Sequence, residues 1–299
     1  MRQLIILGLV GFGAQLIDGS LGMGYGVTST TLLLLAGLTP AAASASVHIS
    51  ELGTNIASGI SHWRLRNVDW RVVARIAGPG AIGAFLGATV LSSLSTEAAA
   101  PVMSALLVLL GIYILIRFII GIKPVFKKAL TIRFLAPLGL VAGFVDATGG
   151  GGWGPVATPA LLADGRLEPR KVIGTVDTSE FAVSAAASIG FLIGLGAAGI
   201  NWGFALALLI GGLIAAPIAA VLVRFAPAHV LGVAVGGIIL LTNSRTLLKT
   251  FEVETPARFA IYGAILLITV IGLSIATQRT RARKRAAAAQ AAVEEPASV

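Results

Sequence analysis

Glu51, in "HISELGTN", and Glu180, in "DTSEFAVS", each lie inside an apolar stretch of the chain. A charged side chain at the centre of a bilayer costs about 3 kcal/mol even on the lenient insertion scale. A proton, a partner or water must offset it, and burial would favour the protonated form. Both glutamates are therefore candidates to carry or gate a proton; the plainer alternative is a buried structural hydrogen-bonder near a helix start. His48 and Asp177 stand three residues before them, one helical turn back on the same face, and can join a polar network. Ser50, Ser179, Thr54 and Asn55 add neutral donors that an oxyanion could use.

Two glycine motifs form the second constellation: "DGSLGMGYG" at 18–26 and "DATGGGGWG" at 146–154. Each interrupts an apolar run. Lipid offers no partner to a freed N–H or C=O, so such a break is tolerated only where it is buried in protein or lines a cavity. The helix that restarts after it presents free amides and a positive dipole end, which suit a small anion. Gly22, Gly24, Tyr25 and Gly26 in the first motif are candidate substrate contacts. So are Thr148, Gly150, Gly152, Trp153 and Gly154 in the second, together with Ser50, Asn55 and Ser179. The competing reading is that the glycines serve close helix packing. Asp18 and Asp146 open the two breaks; they cap the half-helices that follow, or they bind a proton or cation. Neither motif ends in Lys-Ser/Thr, so no nucleotide site is expected.

These residues need a membrane scaffold to hold them. Of 299 residues, 56% are hydrophobic and 12% charged, with mean hydropathy +0.93, against about one quarter charged in soluble domains. The chain reads as an all-α polytopic membrane protein. Apolar segments fall near 3–17, 22–38, 43–62, 72–92, 100–121, 134–147, 150–163, 172–194, 203–223, 230–248 and 258–277. The pairs flanking the glycine motifs are short and read as re-entrant hairpins or as short tilted spans. The absence of cysteine and the scatter of the three histidines leave no expected metal site, and no cofactor is expected. The N-terminus leads straight into the first motif without a convincing cleavage site, so it is not read as a removed signal peptide.

The net charge of +9 is no nucleic-acid signal, because it sits in loops and in the tail "RTRARKR". The loops at 62–71, 123–133 and 164–171 are basic, whereas 39–44, 92–99 and 194–201 carry no Lys or Arg. The positive-inside rule puts the basic loops and the C-terminus in the cytoplasm, for a multi-pass protein of the inner membrane. The loop at 249–258 is the weak point, since Lys249 and Arg258 then face outward. Arg75, Arg117 and Arg224 read as snorkelling residues near span ends. Arg245 lies deeper; it reads equally as snorkelling or as a partner for substrate charge.

The chain also repeats itself. Asp18, Gly22, Gly24, Tyr25 and Gly26 fall on Asp146, Gly150, Gly152, Trp153 and Gly154. One residue of slippage later, Pro40 falls on Pro169 and Ser50-Glu51 on Ser179-Glu180. Equivalent loops have opposite charge bias, so the units insert upside down relative to each other, the architecture of secondary transporters. The expected domains are a first repeat at 1–122, a basic linker at 123–133 and a second, inverted repeat at 134–250. An extra transmembrane helix at 251–278 and a basic, Ala-rich tail at 279–299, at most loosely helical, follow. Each repeat holds a glycine-broken hairpin and three transmembrane helices.

The motifs "GLVGFGAQLIDGSLGMGYG" with "GLVAGFVDATGGGGWGP", and "HISELGTNIASGISH" with "DTSEFAVSAAASI", resemble the sulfite exporter family of the TauE/SafE type. That family is also called the toluenesulfonate uptake permease family. "ARIAGPGAIGAFLGA" with "ALLIGGLIAAPIAA" supports the resemblance, which covers roughly residues 4–250. It implies a duplicated transporter of sulfur-containing anions such as sulfite, thiosulfate or organosulfonates. The expected function is a proton-coupled exporter, not an enzyme, whose partners are a small anion, protons and the lipid bilayer. A passive facilitator and a non-transporting accessory protein are the alternatives.

Overall fold

The computed structural model describes residues 2–120, 131–164, 167–222 and 228–294. Most of the basic linker, Arg166 and Arg224 lie outside these residues. The described chain is helical, without strands: α1 (Arg2–Leu21), α2 (Tyr25–Leu35), α3 (Pro40–Arg64), α4 (Trp70–Ser93), α5 (Thr96–Ile120), α6 (Ile132–Gly149), α7 (Trp153–Asp164), α8 (Pro169–Leu195), α9 (Trp202–Leu222), α10 (Ala228–Thr250) and α11 (Thr255–Glu294). Seven helices are long and apolar enough to cross a membrane: α1, α4, α5, α6, α8, α9 and α11. At 11 and 12 residues, α2 and α7 reach about 17 Å, short of a bilayer core of about 30 Å.

Contacts along the helices fix their directions. Leu4 reaches Gly203, Gly8 lies against Gly211 and Gly19 against Ala219, so α1 runs parallel to α9. Gly139 meets Ile76, and Gly87 meets Ala147 and Thr148, so α6 runs parallel to α4. By contrast α3 and α8 are antiparallel: His62 lies by Gly174, Gly59 by Thr178, and His48 stacks near Phe191. The pair α5 and α10 is antiparallel too, with Gly111 by Leu240 and Phe118 by Gly232.

Short connections then assign the ends of the bundle. One end gathers the start of α1, the end of α2 and the starts of α3 and α9. The opposite end gathers the end of α3, the starts of α4, α6 and α8 and the end of α7. Thus α1–α2 enters the bundle from one end and α6–α7 from the other, each turning back at its glycine break. Arg64, Arg66, Arg71, Arg133, Arg170 and Lys171 share the second end. There too α11 passes, with Arg279 hydrogen-bonded to the Ile119 carbonyl.

The tail corrects one expectation. Helix α11 runs unbroken through position 279 to Glu294, because its Ala, Arg and Lys residues are strong helix formers. Its apolar part is largely exposed and rests on α10 and α5. Leu266, Leu267 and Ile271 point outward there, as Leu206, Ile210 and Ile214 do on α9, and form a lipid-compatible surface. Trp63, Trp70 and Trp202 are half-exposed at helix ends, where interfacial aromatics belong. Arg117 instead lies mostly buried, its guanidinium over the Phe118 ring and bonded to the Tyr113 hydroxyl.

Candidate functional site

The two glycine breaks face each other in the middle of the bundle. A Cβ on Gly151 would collide with the amide of Val27, and one on Gly154 would sit 2.7 Å from the Gly22 carbonyl and the Met23 Cα. Gly26 backs onto Gly151 in the same way. Only glycine permits so close an approach of backbones. Gly22 (φ 67°) and Gly150 (φ 70°) are also left-handed, which ends α1 and α6 at the breaks. The freed carbonyls are shared across the crossing: the Thr30 hydroxyl donates to the Gly150 carbonyl, and the Thr158 hydroxyl to the Gly22 carbonyl. Gly24 lies in the first break near Ile17, and a Cβ on Gly152 would press on Val145 and Asp146.

The aspartates hold the half-helices that follow. Asp146 Oδ1 accepts from the amides of Gly152 (2.8 Å) and Trp153 (3.1 Å). Asp18 Oδ1 accepts from the Tyr25 amide at 3.4 Å. Both aromatics of the breaks are buried. The Trp153 indole donates to the Val176 carbonyl and fills the space over Gly80, and the Tyr25 hydroxyl bonds Ser50 Oγ at 3.0 Å.

Around this crossing, α3 and α8 contribute most of the polar groups. Their polar faces are buried against other helices, whereas Ile56 and Ile60 of α3 and Ile189 and Ile193 of α8 are exposed. His48 Nε2 lies 3.1 Å from Asp146 Oδ2, and its Nδ1 lies 2.8 Å from the Ser44 carbonyl. A carbonyl only accepts, so Nδ1 carries a proton. Nε2 and Asp146 Oδ2 share a hydrogen bond, so one of the two carries its proton. Glu51 Oε2 accepts from Ser184 (3.0 Å), which receives the Asn55 amide at 3.4 Å, while Glu51 Oε1 has no partner. Across from them, Asp177 accepts from the Ser58 hydroxyl and lies 3.5 Å from His62 Nε2, without a hydrogen bond between the two. Oxygens of Asp18, Asp177 and Glu180 lie within 4.8 Å of one another.

The structure thus gathers Asp18, Glu51, Asp146, Asp177 and Glu180 with His48 and His62, all buried. Ser179 and Thr148 turn their hydroxyls to the carbonyls of Val176 and Phe144 within their own helices. Thr30 and Thr158 had a signal in the sequence, since both stand twelve residues after the opening aspartate of their motif.

A cavity of about 630 Å³ opens at the first end, between the end of α2, the start of α5 and the end of α10. Arg245 and Lys249 line it with Asn243, whose amide donates to Thr31 at 3.0 Å on α2. Neither cation has an ion-pair partner among the described residues. Lys249, the misfit of the loop-charge reading, therefore belongs to a basic cavity wall.

Comparison with known proteins agrees with this architecture. The chain is 53% identical over 268 residues to the probable membrane transporter protein YtnM of Bacillus subtilis (strain 168), covering 89% of each. It is 26% identical over 191 residues to the probable membrane transporter protein YdhB of the same organism, covering 63% of this chain and 74% of that one. No solved structure matches. The family model described as "Sulfite exporter TauE/SafE" matches residues 7–246, and the chain belongs to that family of membrane transporters.

Proposed function

We propose that this protein is a secondary transporter that exports small sulfur-containing anions, such as sulfite, thiosulfate or organosulfonates, across the inner membrane. It works by alternating access between two inverted repeats, α1–α5 and α6–α10, coupled to protons. One observation carries the reading: two half-helix hairpins enter from opposite ends and meet tip to tip among five buried acids. The pairing of helices supports it. Exchanging the halves turns α1 on α9 into α6 on α4, and α3 on α9 into α8 on α4, and leaves α3 on α8 and α5 on α10 unchanged. Such symmetry lets the two halves trade conformations and open the centre to alternate sides.

The acids supply the coupling. An anion is repelled from five carboxylates unless they are neutralised, so its passage is tied to protonation of Glu51 and Glu180. Asn55 and the hydroxyls of Ser50, Thr148 and Ser179, with the amides of both breaks, reach the anion by exchanging their present partners for it: the Ser184 hydroxyl, the carbonyls of their own helices and the Asp18 and Asp146 carboxyls. The basic ends and the C-terminus face the cytoplasm, and the Arg245–Lys249 cavity is the anion's port on the other side.

Flux of sulfite, thiosulfate, taurine and sulfoacetate into proteoliposomes tests this. The wild type responds to an imposed pH gradient, and Glu51→Gln plus Glu180→Gln loses the response. Wild-type flux indifferent to every gradient makes the protein a facilitator. Binding without flux makes it an accessory protein. For flux that enters from the cavity side, Arg245→Gln with Lys249→Gln raises KM for the anion about tenfold and leaves kcat nearly unchanged, because it removes attraction made before the transported state.

A further inference from the structure

The two halves treat their acids differently. In one, the cluster is Asp146, His48 and Glu51; the positions that correspond in the other are Asp18, Asp177 and Glu180. The first cluster holds an imidazole among its acids, and His48 bridges to Asp146 at 3.1 Å. Asp146 there receives two amides, and Glu51 receives Ser184 on one oxygen while its other has no partner. In the second cluster a carboxylate stands where the imidazole stood. Three acids converge within 4.8 Å, from α1 and α8.

This second cluster is also poor in donors. Asp18 Oδ2 and Asp177 Oδ1 are shielded from solvent and have no hydrogen-bond partner. Both side chains are more than nine-tenths buried. Glu180 accepts no hydrogen bond among the described residues. The nearest basic group, His62 Nε2, sits 3.5 Å from Asp177 Oδ2 and bonds to nothing. Buried carboxylate oxygens left without donors are strongly unfavourable. Oxygens at this spacing can be bridged by a cation with metal–oxygen contacts of about 2.4 Å.

We propose that Asp18, Asp177 and Glu180 form a site for a hard, oxygen-seeking cation of sodium or calcium size. The bound ion takes the place that the His48 imidazole fills in the other half. It ties the end of α1, at the first glycine break, to the middle of α8. The site rests on the transport reading and changes it at one residue: the metal neutralises Glu180 with Asp18 and Asp177, and the proton is left to Glu51. Its test reads binding without flux, so failure of one does not entail failure of the other.

Purified protein in detergent is unfolded thermally at fixed pH in choline chloride, then with sodium, calcium or magnesium chloride at equal ionic strength. The wild type gains a saturable rise of about 5 °C with sodium or calcium over choline. Radioactive sodium or calcium binds at about one ion per chain. Glu180→Gln and Asp177→Asn lose both signals. Asp177→His restores an internal imidazole; it is stable in choline and gains nothing from the metal. No saturable rise with any metal, or a rise that persists in Glu180→Gln and Asp177→Asn, overturns the proposal. A midpoint that moves with pH but with no metal also overturns it and assigns the cluster to protons.

Discussion

Thr30 and Thr158 do the same work from opposite halves. Each hydroxyl satisfies a carbonyl that the facing break has freed, at Gly150 and Gly22. Thr→Val keeps the shape and removes the donor, leaving a buried carbonyl unpaired. Each single change is expected to destabilise by about 1–2 kcal/mol, and the double change by more than either, read as the unfolding midpoint in detergent. If either variant unfolds like the wild type, the crossing is not held by these bonds. At this scale the sequence was informative about Glu51, Glu180, Asp18 and Asp146, because acids in apolar runs and before glycine breaks need a reason. The equal spacing of Thr30 and Thr158 from their aspartates marked the two as equivalent, but not that Thr30 meets Gly150, which needs the opposite hairpin tip 120 residues later. The difference between His48 and Asp177 was visible as a pair of letters, but its consequence depends on what each one touches.

Among the helices, glycine decides where contact is possible. Gly83 of α4 faces the Leu140 carbonyl and the Phe144 amide of α6, and an added Cβ would overlap that backbone. Gly78, on the same helix, has nothing within 4 Å. Ala at either site gains helix propensity, up to about 1 kcal/mol. Gly78→Ala is therefore expected to be neutral or stabilising, and Gly83→Ala to pry α4 from α6 and lower the yield of folded protein on size-exclusion chromatography. Equal behaviour of the two variants would remove the packing argument. The apolar segments were legible to within a few residues at most ends, because a membrane leaves few alternatives to a helix. Direction was less so: the end from which α1–α2 enters the bundle turned on α1 lying parallel to α9, a long-range contact that hydropathy does not encode. The alanine-rich tail was misread for a different reason, since a polar composition after a span says little about whether the helix continues.

For the molecule as a whole, the inverted arrangement makes a demand that no single helix does. Equivalent positions of the two repeats must lie on opposite sides of the membrane. Ala36, before α3, and Glu168, before α8, occupy corresponding connections and are both exposed. Arg64, at the end of α3, and Ala198, after α8, form the reciprocal pair. The chain has no cysteine, so single-cysteine variants at these four positions report without a background. A membrane-impermeant maleimide added to intact cells is expected to label Ala36→Cys and Ala198→Cys. Arg64→Cys and Glu168→Cys are expected to react only after permeabilisation. The pattern follows from the antiparallel contact of α3 with α8 together with the gathering of basic residues at one end of the bundle. Labelling of Ala36→Cys and Glu168→Cys from the same side contradicts the inverted repeat whatever the cargo proves to be. Reversal of all four keeps the repeat and turns the protein over, which would make the Arg245–Lys249 cavity a cytoplasmic port and the proposed export an uptake.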